Sequence, residues 1–271
     1  DEIFQSVALT FLDSQSESLS AEHTFSVYQS CTEVLGATYR PIPMKQYSYD
    51  LNRILDEITH RTKIIFIANP NNPTGHLLSH DEIKQFLDYV PPSIIVVLDE
   101  AYREYVTSED PLKNLSLVPK YSNLIITRTF SKLYGFAGLR LGFGIAQPQL
   151  VALLKKVTLP FNINSIALKA GIMGIENTAF IEKSLAANQE GLEKFMSSSH
   201  NWGLDILSSE ANFICLLLKN ETCTQLCQYF LSHGYIVRDL TSFGLSNGIR
   251  ITIGKPFDVE QCIDILNKYY Q

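Results

Sequence analysis

Residues 94–102 read Ile-Ile-Val-Val-Leu-Asp-Glu-Ala-Tyr, an unbroken apolar run that ends in polar residues. Such a run predicts a strand that is covered on both faces, as in the parallel sheet of an α/β protein. Residues 64–67 and 124–127 repeat the pattern, and residues 142–146 predict one further strand.

A helix signal separates the first two of these strands. Ser79 and Glu82 have the spacing of a capping box, and apolar residues then recur every three or four positions until Pro91 ends the repeat. Strands that alternate with helices in this way predict a mainly parallel sheet with helices on both of its faces.

The pattern changes towards the C-terminus, and we place a domain boundary near residue 180. A large domain is expected at residues 1–180 and a small α+β domain at residues 181–271. The elements expected around and after the boundary are a long helix from Ser165 to Phe195, strands at residues 213–218, 235–237 and 249–253, and a last helix that opens at Asp258 with Gln261 as its capping partner.

The composition argues against several classes of protein. The chain of 271 residues is 45% hydrophobic and 18% charged, which is enough apolar material for a large core. A net charge of -6 disfavours nucleic acid as a partner, and no apolar run reaches the ~20 residues that cross a membrane. The five cysteines lack the spacing of a zinc site, so we expect no metal, reduced thiols and a cytoplasmic location.

Polar segments follow three of the predicted strands. They read Ala-Asn-Pro-Asn-Asn-Pro-Thr-Gly at residues 68–75, Asp-Glu-Ala-Tyr at residues 99–102 and Thr-Phe-Ser-Lys-Leu-Tyr-Gly-Phe-Ala-Gly-Leu-Arg at residues 129–140. Parallel α/β sheets bind their ligands at the carboxyl ends of strands, so a binding site is expected at these segments.

Each segment also has an ordinary structural explanation. The turn at residues 68–75 could serve only to reach the next helix, Asp99 could cap a helix, and Lys132 could be a solvated surface lysine. The functional interpretation is that the turn aims a carboxamide at a ligand and that Asp99 meets a protonated ring nitrogen. Lys132 is then a nucleophile, and the hydroxyls beside it suit a phosphate dianion together with Arg140.

Taken together, the three segments resemble the fold-type I pyridoxal-phosphate aminotransferases. The resemblance rests on Asn-Pro-Thr-Gly, Asp-x-x-Tyr and Ser-Lys-(x)7-Arg in this order. Within that group the chain is most similar to the histidinol-phosphate aminotransferases. The segments that carry this similarity are Pro-Asn-Asn-Pro-Thr-Gly at 70–75, Asp-Glu-Ala-Tyr at 99–102, Ala-Gly-Leu-Arg at 137–140, Arg-Asp at 238–239 and Gly-Ile-Arg-Ile-Thr-Ile-Gly at 248–254.

The resemblance implies catalytic roles for Lys132, Asp99 and Tyr102. Lys132 would form the Schiff base with pyridoxal 5'-phosphate and transfer the substrate proton, and Asp99 would keep the ring nitrogen protonated. Asn72 and Tyr102 would hydrogen-bond the phenolic oxygen of the cofactor. Phe25 would stack on its ring, at a position where many relatives have Tyr.

The resemblance also implies two anion sites. The cofactor phosphate would be bound by Thr129, Ser131, Arg140 and the backbone at Asp1. Arg250 would bind the carboxylate of glutamate or the phosphate of histidinol phosphate, with Arg238 as a second contact and Asn72 beside the substrate. Without the resemblance, the position of Arg250 between two isoleucines would favour a surface arginine.

The function implied by this resemblance is the transamination of histidinol phosphate with 2-oxoglutarate, a reaction of histidine biosynthesis, in a homodimer. The alternatives are an aromatic or aspartate aminotransferase, a threonine-phosphate decarboxylase, or an inactive truncated fragment. Asp1-Glu2 resembles the end of the Gly-x-Asp-Glu motif of the family. We therefore expect the N-terminal part of the family fold to lie outside this sequence.

Overall fold

A computed structural model describes residues 1–219 and 222–271. Its first sheet is built from six strands: β1 (Glu17–Ala21), β2 (Thr38–Ile42), β3 (Thr62–Ala68), β4 (Ile95–Asp99), β5 (Leu124–Thr129) and β6 (Gly142–Ala146). The strand order is β2-β1-β3-β4-β5-β6. The first five strands pair in parallel, and β6 is antiparallel to β5.

Helices lie before, between and after these strands and cover both faces of the sheet. They are α1 (Glu2–Phe11), α2 (Val27–Glu33), α3 (Leu51–Asp56), α4 (His80–Tyr89) and α5 (Pro148–Leu154). The predicted capping box is confirmed at the start of α4, where the side chains of Ser79 and Glu82 bond each other's backbone N–H groups.

The apolar strands supply two cores because successive side chains point to opposite faces of the sheet. On β3, Ile65 and Ile67 pack in the core shared with α3 and α4. Ile64 and Phe66 pack on the other face, against α1 and α2. Both faces of the strand are therefore buried, and the predicted mainly parallel sheet flanked by helices is confirmed.

A second, antiparallel sheet lies in the C-terminal part. The remaining elements are α6 (Ser165–Glu176), α7 (Thr178–Ser198), β7 (Asp205–Leu207), β8 (Phe213–Leu217), α8 (Cys223–Ser232), β9 (Arg238–Asp239), β10 (Gly248–Thr252) and α9 (Pro256–Tyr269). The strand order is β7-β8-β10-β9. One face of this sheet packs against α7, α8 and α9, and its other face carries Phe213 and Arg250 towards the first sheet.

The single helix predicted from Ser165 to Phe195 is wrong, because two helices meet at Asn177. The backbone of Asn177 is not helical, and its side chain accepts a hydrogen bond from the N–H of Phe180. An Asn side chain competes in this way with the helical bonding pattern and starts a new helix.

Two further boundaries differ from the prediction. Residues 235–237 form no strand, and the side chain of Ile236 is 89% exposed, because pairing with β10 begins only at Arg238. The last helix starts at Pro256 rather than at Asp258. Proline fits the first helical position because it lacks the N–H group that would be unpaired there.

Among the residues that the structure describes, there is no helix with both the length and the apolar character required to cross a membrane.

Candidate active site

A cavity of about 690 Å³ lies at the carboxyl ends of β3, β4 and β5. All the site residues named from the sequence line it: Asp1, Phe25, Asn72, Asp99, Tyr102, Thr129, Ser131, Lys132, Arg140, Arg238 and Arg250. The first sheet supplies its floor, and the last two residues reach it from the second sheet. The predicted position at the strand ends is therefore the position of a cavity.

Asp99 is a buried carboxylate at the end of β4. It accepts hydrogen bonds from the phenol of Tyr28 at 2.6 Å, from the hydroxyl of Thr127 at 3.2 Å and from the N–H of Ala101 at 3.2 Å. Burial raises the pKa of Asp99, and these hydrogen bonds act in the opposite direction. The carboxylate is thus held in a fixed orientation at the cavity wall.

Tyr28 had no role in the sequence prediction. Its ring stacks on Phe66 with 4.8 Å between ring centroids, and Phe4 contacts it edge-on. Burial and the charge of Asp99 raise the pKa of the phenol well above its usual value, so the phenol stays a hydrogen-bond donor. No local pattern pointed to Tyr28, because its partner Asp99 lies 71 residues away along the chain.

Lys132 lies in the loop after β5, with its Nζ 5.1 Å from the ring centroid of Tyr102. Two buried apolar neighbours, Phe130 and Leu133, anchor the loop on either side of the lysine. Gly135 has a φ of +73°, a left-handed turn that glycine adopts without strain. The sequence thus buries the ends of the loop and leaves the half-buried Lys132 facing the cavity.

The hydroxyls of Thr129 and Ser131 lie close to Lys132 in the sequence, at the last residue of β5 and in the loop that follows it. Thr129 Oγ1 accepts a hydrogen bond from the N–H of Ser131 at 3.0 Å, which closes a tight turn. Arg140 donates to the carbonyl of Ala137 at 2.9 Å and lies 3.1 Å from the carboxylate of Asp1. Arg140 is 64% exposed, so this ion pair contributes little stability and leaves the guanidinium available to another anion.

The three asparagines of the 68–75 turn have different partners. Asn69 bonds both backbone groups of Leu78, which ties the turn to the start of the α4 segment. Asn71 is tied to the segment before α2, since it donates to the carbonyl of His23 and accepts from Thr24. The side chain of Asn72 alone among the three lines the cavity. Two asparagines hold the turn, and the third is aimed into the site.

Arg250 is not a solvated surface residue. Its Nη1 donates a hydrogen bond to Oδ1 of Asn72, and its guanidinium carbon lies 5.0 Å from the ring centroid of Phe213. Its Nε is buried without a hydrogen-bond partner among the described residues. Burial lowers the pKa of Arg250, and the charge of Arg238 acts in the same direction. A buried donor of this kind calls for an acceptor, which an anionic ligand in the cavity would provide.

Phe25 and Arg238 complete the wall of the cavity. The ring of Phe25 is half-buried, with edge-to-face contacts to Phe4 and Tyr28. Arg238 is exposed, pairs with Arg250 across β9 and β10, and lies 5.7 Å above the ring of Phe243. No metal-binding cluster of His, Cys, Asp or Glu occurs in the described ranges 1–219 and 222–271.

The sequence as a whole matches a family model, aminotransferase class I and II, over residues 1–266. The chain belongs to this aminotransferase family. A histidinol-phosphate aminotransferase 2 from Pasteurella multocida is 40% identical over 268 residues, which are 99% of this chain and 73% of the relative. The resemblance inferred from the three polar segments is therefore confirmed.

Solved structures of an aminotransferase and of a decarboxylase share the fold. The histidinol-phosphate aminotransferase from Sinorhizobium meliloti in complex with pyridoxal-5'-phosphate superposes with a TM-score of 0.91 at 20% identity, covering 98% of this chain and 73% of that one. The L-threonine-O-3-phosphate decarboxylase from Porphyromonas gingivalis gives a TM-score of 0.82 at 25% identity, covering 98% of this chain and 80% of that one. Fold alone therefore does not separate transamination from decarboxylation.

Behind the site, this aminotransferase carries a buried polar network that sequence reasoning missed. Glu100 is fully buried and accepts two hydrogen bonds from Arg128, at 3.0 and 2.7 Å, and one from Asn114 at 2.8 Å. Arg103, also fully buried, donates to Glu109 at 2.8 Å. Because Glu100 follows Asp99 and Arg128 lies on β5, the network ties the two strand ends on which the cavity is built.

Proposed function

We propose that this aminotransferase binds pyridoxal 5'-phosphate in the cavity and transaminates histidinol phosphate with 2-oxoglutarate. The observation that carries the proposal is that Lys132 and the buried carboxylate of Asp99 face one cavity from the ends of neighbouring strands. An amine for the cofactor aldehyde and an anion for its ring nitrogen are the two groups that this chemistry requires.

The residues present fit the cofactor. A carboxylate offers about four acceptor positions, and Asp99 uses three, so one remains for a donor in the cavity. A cationic ring nitrogen there would offset the burial that raises the pKa of Asp99. Asn72 and Tyr102 would hydrogen-bond the phenolic oxygen, and Phe25 would cover the ring.

The same cavity also offers donors for the phosphate of the cofactor. Thr129, Ser131 and Arg140 offer two hydroxyls and an available guanidinium there, with the backbone at Asp1 alongside. A guanidinium and hydroxyl donors match the geometry of a phosphate dianion. Arg140 could release the carboxylate of Asp1 and bind the phosphate in its place, because their ion pair is exposed.

Each catalytic group then has a definite task. Bound pyridoxal phosphate would supply the electron sink for the substrate carbon that bears the amine and loses a proton. Lys132 would hold the cofactor through Nζ and, once the substrate amine has replaced it there, would accept the proton from that carbon. Asp99 would keep the ring nitrogen protonated, and Tyr102, whose ring lies 5.1 Å from Nζ, would orient Lys132.

Arg250 and Arg238 would bind the anionic end of the substrate. The unpartnered Nε of Arg250 and the carboxamide of Asn72 lie on the same wall of the cavity, and Arg238 adds a second positive charge. This pair suits the carboxylates of glutamate in one half-reaction and the phosphate of histidinol phosphate in the other.

The assay is direct. We expect the protein, loaded with pyridoxal phosphate, to form glutamate from histidinol phosphate and 2-oxoglutarate faster than from phenylalanine or aspartate as amino donor. Release of carbon dioxide from threonine phosphate would favour the decarboxylase alternative. Absence of both activities, with cofactor bound, would refute the proposal.

We also propose that the protein acts as a homodimer in the cytoplasm. Phe161 is 99% exposed, and α6 exposes Ile166, Ile172 and Met173. An apolar patch of this kind is typical of a surface that is covered in the assembled protein. Sedimentation of the holoenzyme at micromolar concentration tests the homodimer, and a monomer would contradict it.

We also propose that the chain divides into two domains, at residues 1–180 and 181–271.

A further inference from the structure

Four side chains form a continuous row beside the cavity, and three of them line it: Lys132, Tyr102 and Arg250. Lys132 Nζ lies 5.1 Å from the ring of Tyr102, and the ring of Tyr102 meets that of Phe213 edge-on at 5.1 Å and 89°. The guanidinium of Arg250 lies 5.0 Å from the other ring of the pair, that of Phe213. Phe213 therefore lies between Tyr102, which contacts Lys132, and Arg250.

The sheet register explains why Phe213 meets Arg250. Strands β8 and β10 are antiparallel, and Arg250 is directly opposite Cys215, two residues beyond Phe213 on the same face. Diagonal neighbours on one face of a sheet are within reach of an aromatic or a long side chain. The local geometry therefore places a ring beneath the guanidinium, whatever ligand is present.

Phe213 is itself held firmly. It is 1% exposed and packs in a cluster with Tyr102, Leu133 and Ala211. Leu133 directly follows Lys132, so the same cluster fixes the lysine loop and the ring. A ring packed in this way has little freedom to move away from Arg250.

The environment of Arg250 gives this contact its importance. Arg250 is largely withdrawn from solvent, Arg238 adds a like charge nearby, and Nε has no partner in the described part of the chain. The hydrogen bond to Asn72 fixes one end of the guanidinium only. The ring face of Phe213 attracts the cation and limits its tilt, and such attraction is strongest when the cation is desolvated.

We propose that Phe213 is a positioning residue for anion binding, which holds the Arg250 guanidinium ready for the carboxylate of a dicarboxylic substrate. The inference rests on the proposed function, since it names the residue that prepares the substrate-anion site. Its effect is expected chiefly on the affinity of the anion, because Phe213 contacts Arg250 directly and reaches Lys132 only through the ring of Tyr102.

The test compares Phe213→Leu with Phe213→Tyr and with a control, Phe230→Leu. Leucine fills most of the space but has no ring face, and tyrosine keeps the ring. Phe230 is a fully buried ring in the core of the same sheet, packed away from the cavity among α7, α8 and α9. Calorimetry on the holoenzyme gives the Kd for the keto acid 2-oxoglutarate, and steady-state transamination gives its KM and the kcat.

Phe213→Leu is expected to raise both the Kd and the KM for this keto acid by fivefold to thirtyfold, with kcat within about threefold. Phe213→Tyr and Phe230→Leu are expected to stay within about threefold of the wild type in Kd. Equal Kd values for Phe213→Leu and the wild type would overturn the inference. So would an equal loss in Phe230→Leu, because that result would indicate a general effect of core damage.

A double-mutant comparison tests whether Phe213 changes the Kd through its contact with Arg250. In an Arg250→Gln background, Phe213→Leu is expected to change the Kd by less than about twofold, since no cation remains for the ring to hold. A full effect in that background would overturn the role assigned to Arg250. If Phe213→Leu does not fold, Phe213→Met replaces it in every arm, because methionine also fills the space without a ring.

Failure of the proposed function has a separate signature. A wild type that binds 2-oxoglutarate but transfers no amino group would refute transamination and leave the calorimetric comparison valid. A wild type that binds no 2-oxoglutarate would overturn the inference about Phe213.

Discussion

The phenol of Tyr28 donates a 2.6 Å hydrogen bond to Oδ2 of Asp99 inside the first sheet's core. Both groups are buried, and a hydrogen bond to a charged acceptor is stronger than one between neutral groups. The bond acts against the rise in the pKa of Asp99 that burial causes. Tyr28 therefore helps to keep an ionised carboxylate next to the cavity.

Tyr28→Phe tests this relationship, because it keeps the ring stacked on Phe66 and removes only the hydroxyl. A hydrogen bond to a charged group contributes about 1.5–3 kcal/mol, so we expect a loss in kcat on the order of tenfold. Without this bond the pKa of Asp99 should rise further. The absorbance of the bound cofactor, followed against pH, should shift with the variant.

Tyr39→Phe is the matched control for the Tyr28 variant. It also removes a phenol from the first sheet, where the hydroxyl donates to the carbonyl of Ala21 at 3.4 Å. Unchanged kcat and spectrum in the control, with both changed in Tyr28→Phe, is the expected result. Identical kinetics and spectra for Tyr28→Phe and the wild type would show that Asp99 does not depend on the phenol.

Asp99→Asn should have a larger effect than Tyr28→Phe. The substitution keeps the shape of the side chain and removes the charge that would stabilise a protonated ring nitrogen. We expect transamination to slow by 10²-fold or more, on the order of several kcal/mol in the barrier, and cofactor binding to weaken less. Steady-state rates beside a cofactor titration provide the comparison, and near-normal turnover would rule out the role given to Asp99.

Lys132 is expected to be the residue that carries the cofactor. Borohydride treatment of the holoenzyme, followed by digestion and mass spectrometry, should place the pyridoxyl group on Lys132. The chain has other lysines on its surface, among them Lys84 and Lys113, which provide an internal control for nonspecific labelling. A label confined to another lysine would contradict the assignment.

Much of the fold could be predicted because it depends on local patterns. The buried strands β3, β4 and β5 are continuous apolar runs, and the start of α4 has a complete capping box. Residues 235–237 show the limit of this reasoning, since their apolar pattern is that of a strand and no strand among the described residues pairs with them. Pairing is a long-range property that the local pattern does not contain.

The same distinction explains the candidate site. The residues found from the three polar segments lie at strand ends or directly after them, where sequence position determines spatial position. Tyr28 is 71 residues from Asp99 along the chain, and Phe213 comes from a different sheet. Distant partners such as Thr24 also decide which asparagine of the turn faces the cavity. Contacts of this kind follow from the packed fold and have no signature in one sequence.

Glu104 provides a test of the buried network behind the site. Its side chain is 13% exposed, and its Oε1 lies 3.8 Å from Nη1 of Arg128. Burial raises the pKa of Glu104 to about 7, the nearby charge of Glu100 acts in the same direction, and Arg128 partly opposes both. The folded protein therefore holds a proton on Glu104 at pH values where the unfolded chain has released it.

The sign of the pH effect follows from this difference. The pKa of Glu104 is higher in the folded state than the value of 4.5 in the unfolded chain. Its contribution to the free energy of unfolding is therefore fully present below pH 4.5 and is lost as the pH rises to about 7. The shift corresponds to at most roughly 3 kcal/mol, since one pKa unit is about 1.4 kcal/mol.

Glu104→Gln keeps the shape of the side chain and cannot ionise, so it should not suffer this loss. We expect the variant to gain about 1–3 kcal/mol relative to the wild type between pH 5 and pH 8, measured as the free energy of unfolding in urea at each pH. Glu182→Gln, at an exposed position of α7, removes the same charge and serves as the reference. If the wild-type and Glu104→Gln stability curves run parallel across this range, Glu104 does not carry a raised pKa, and the network behind Asp99 binds its acidic groups in the ionised form.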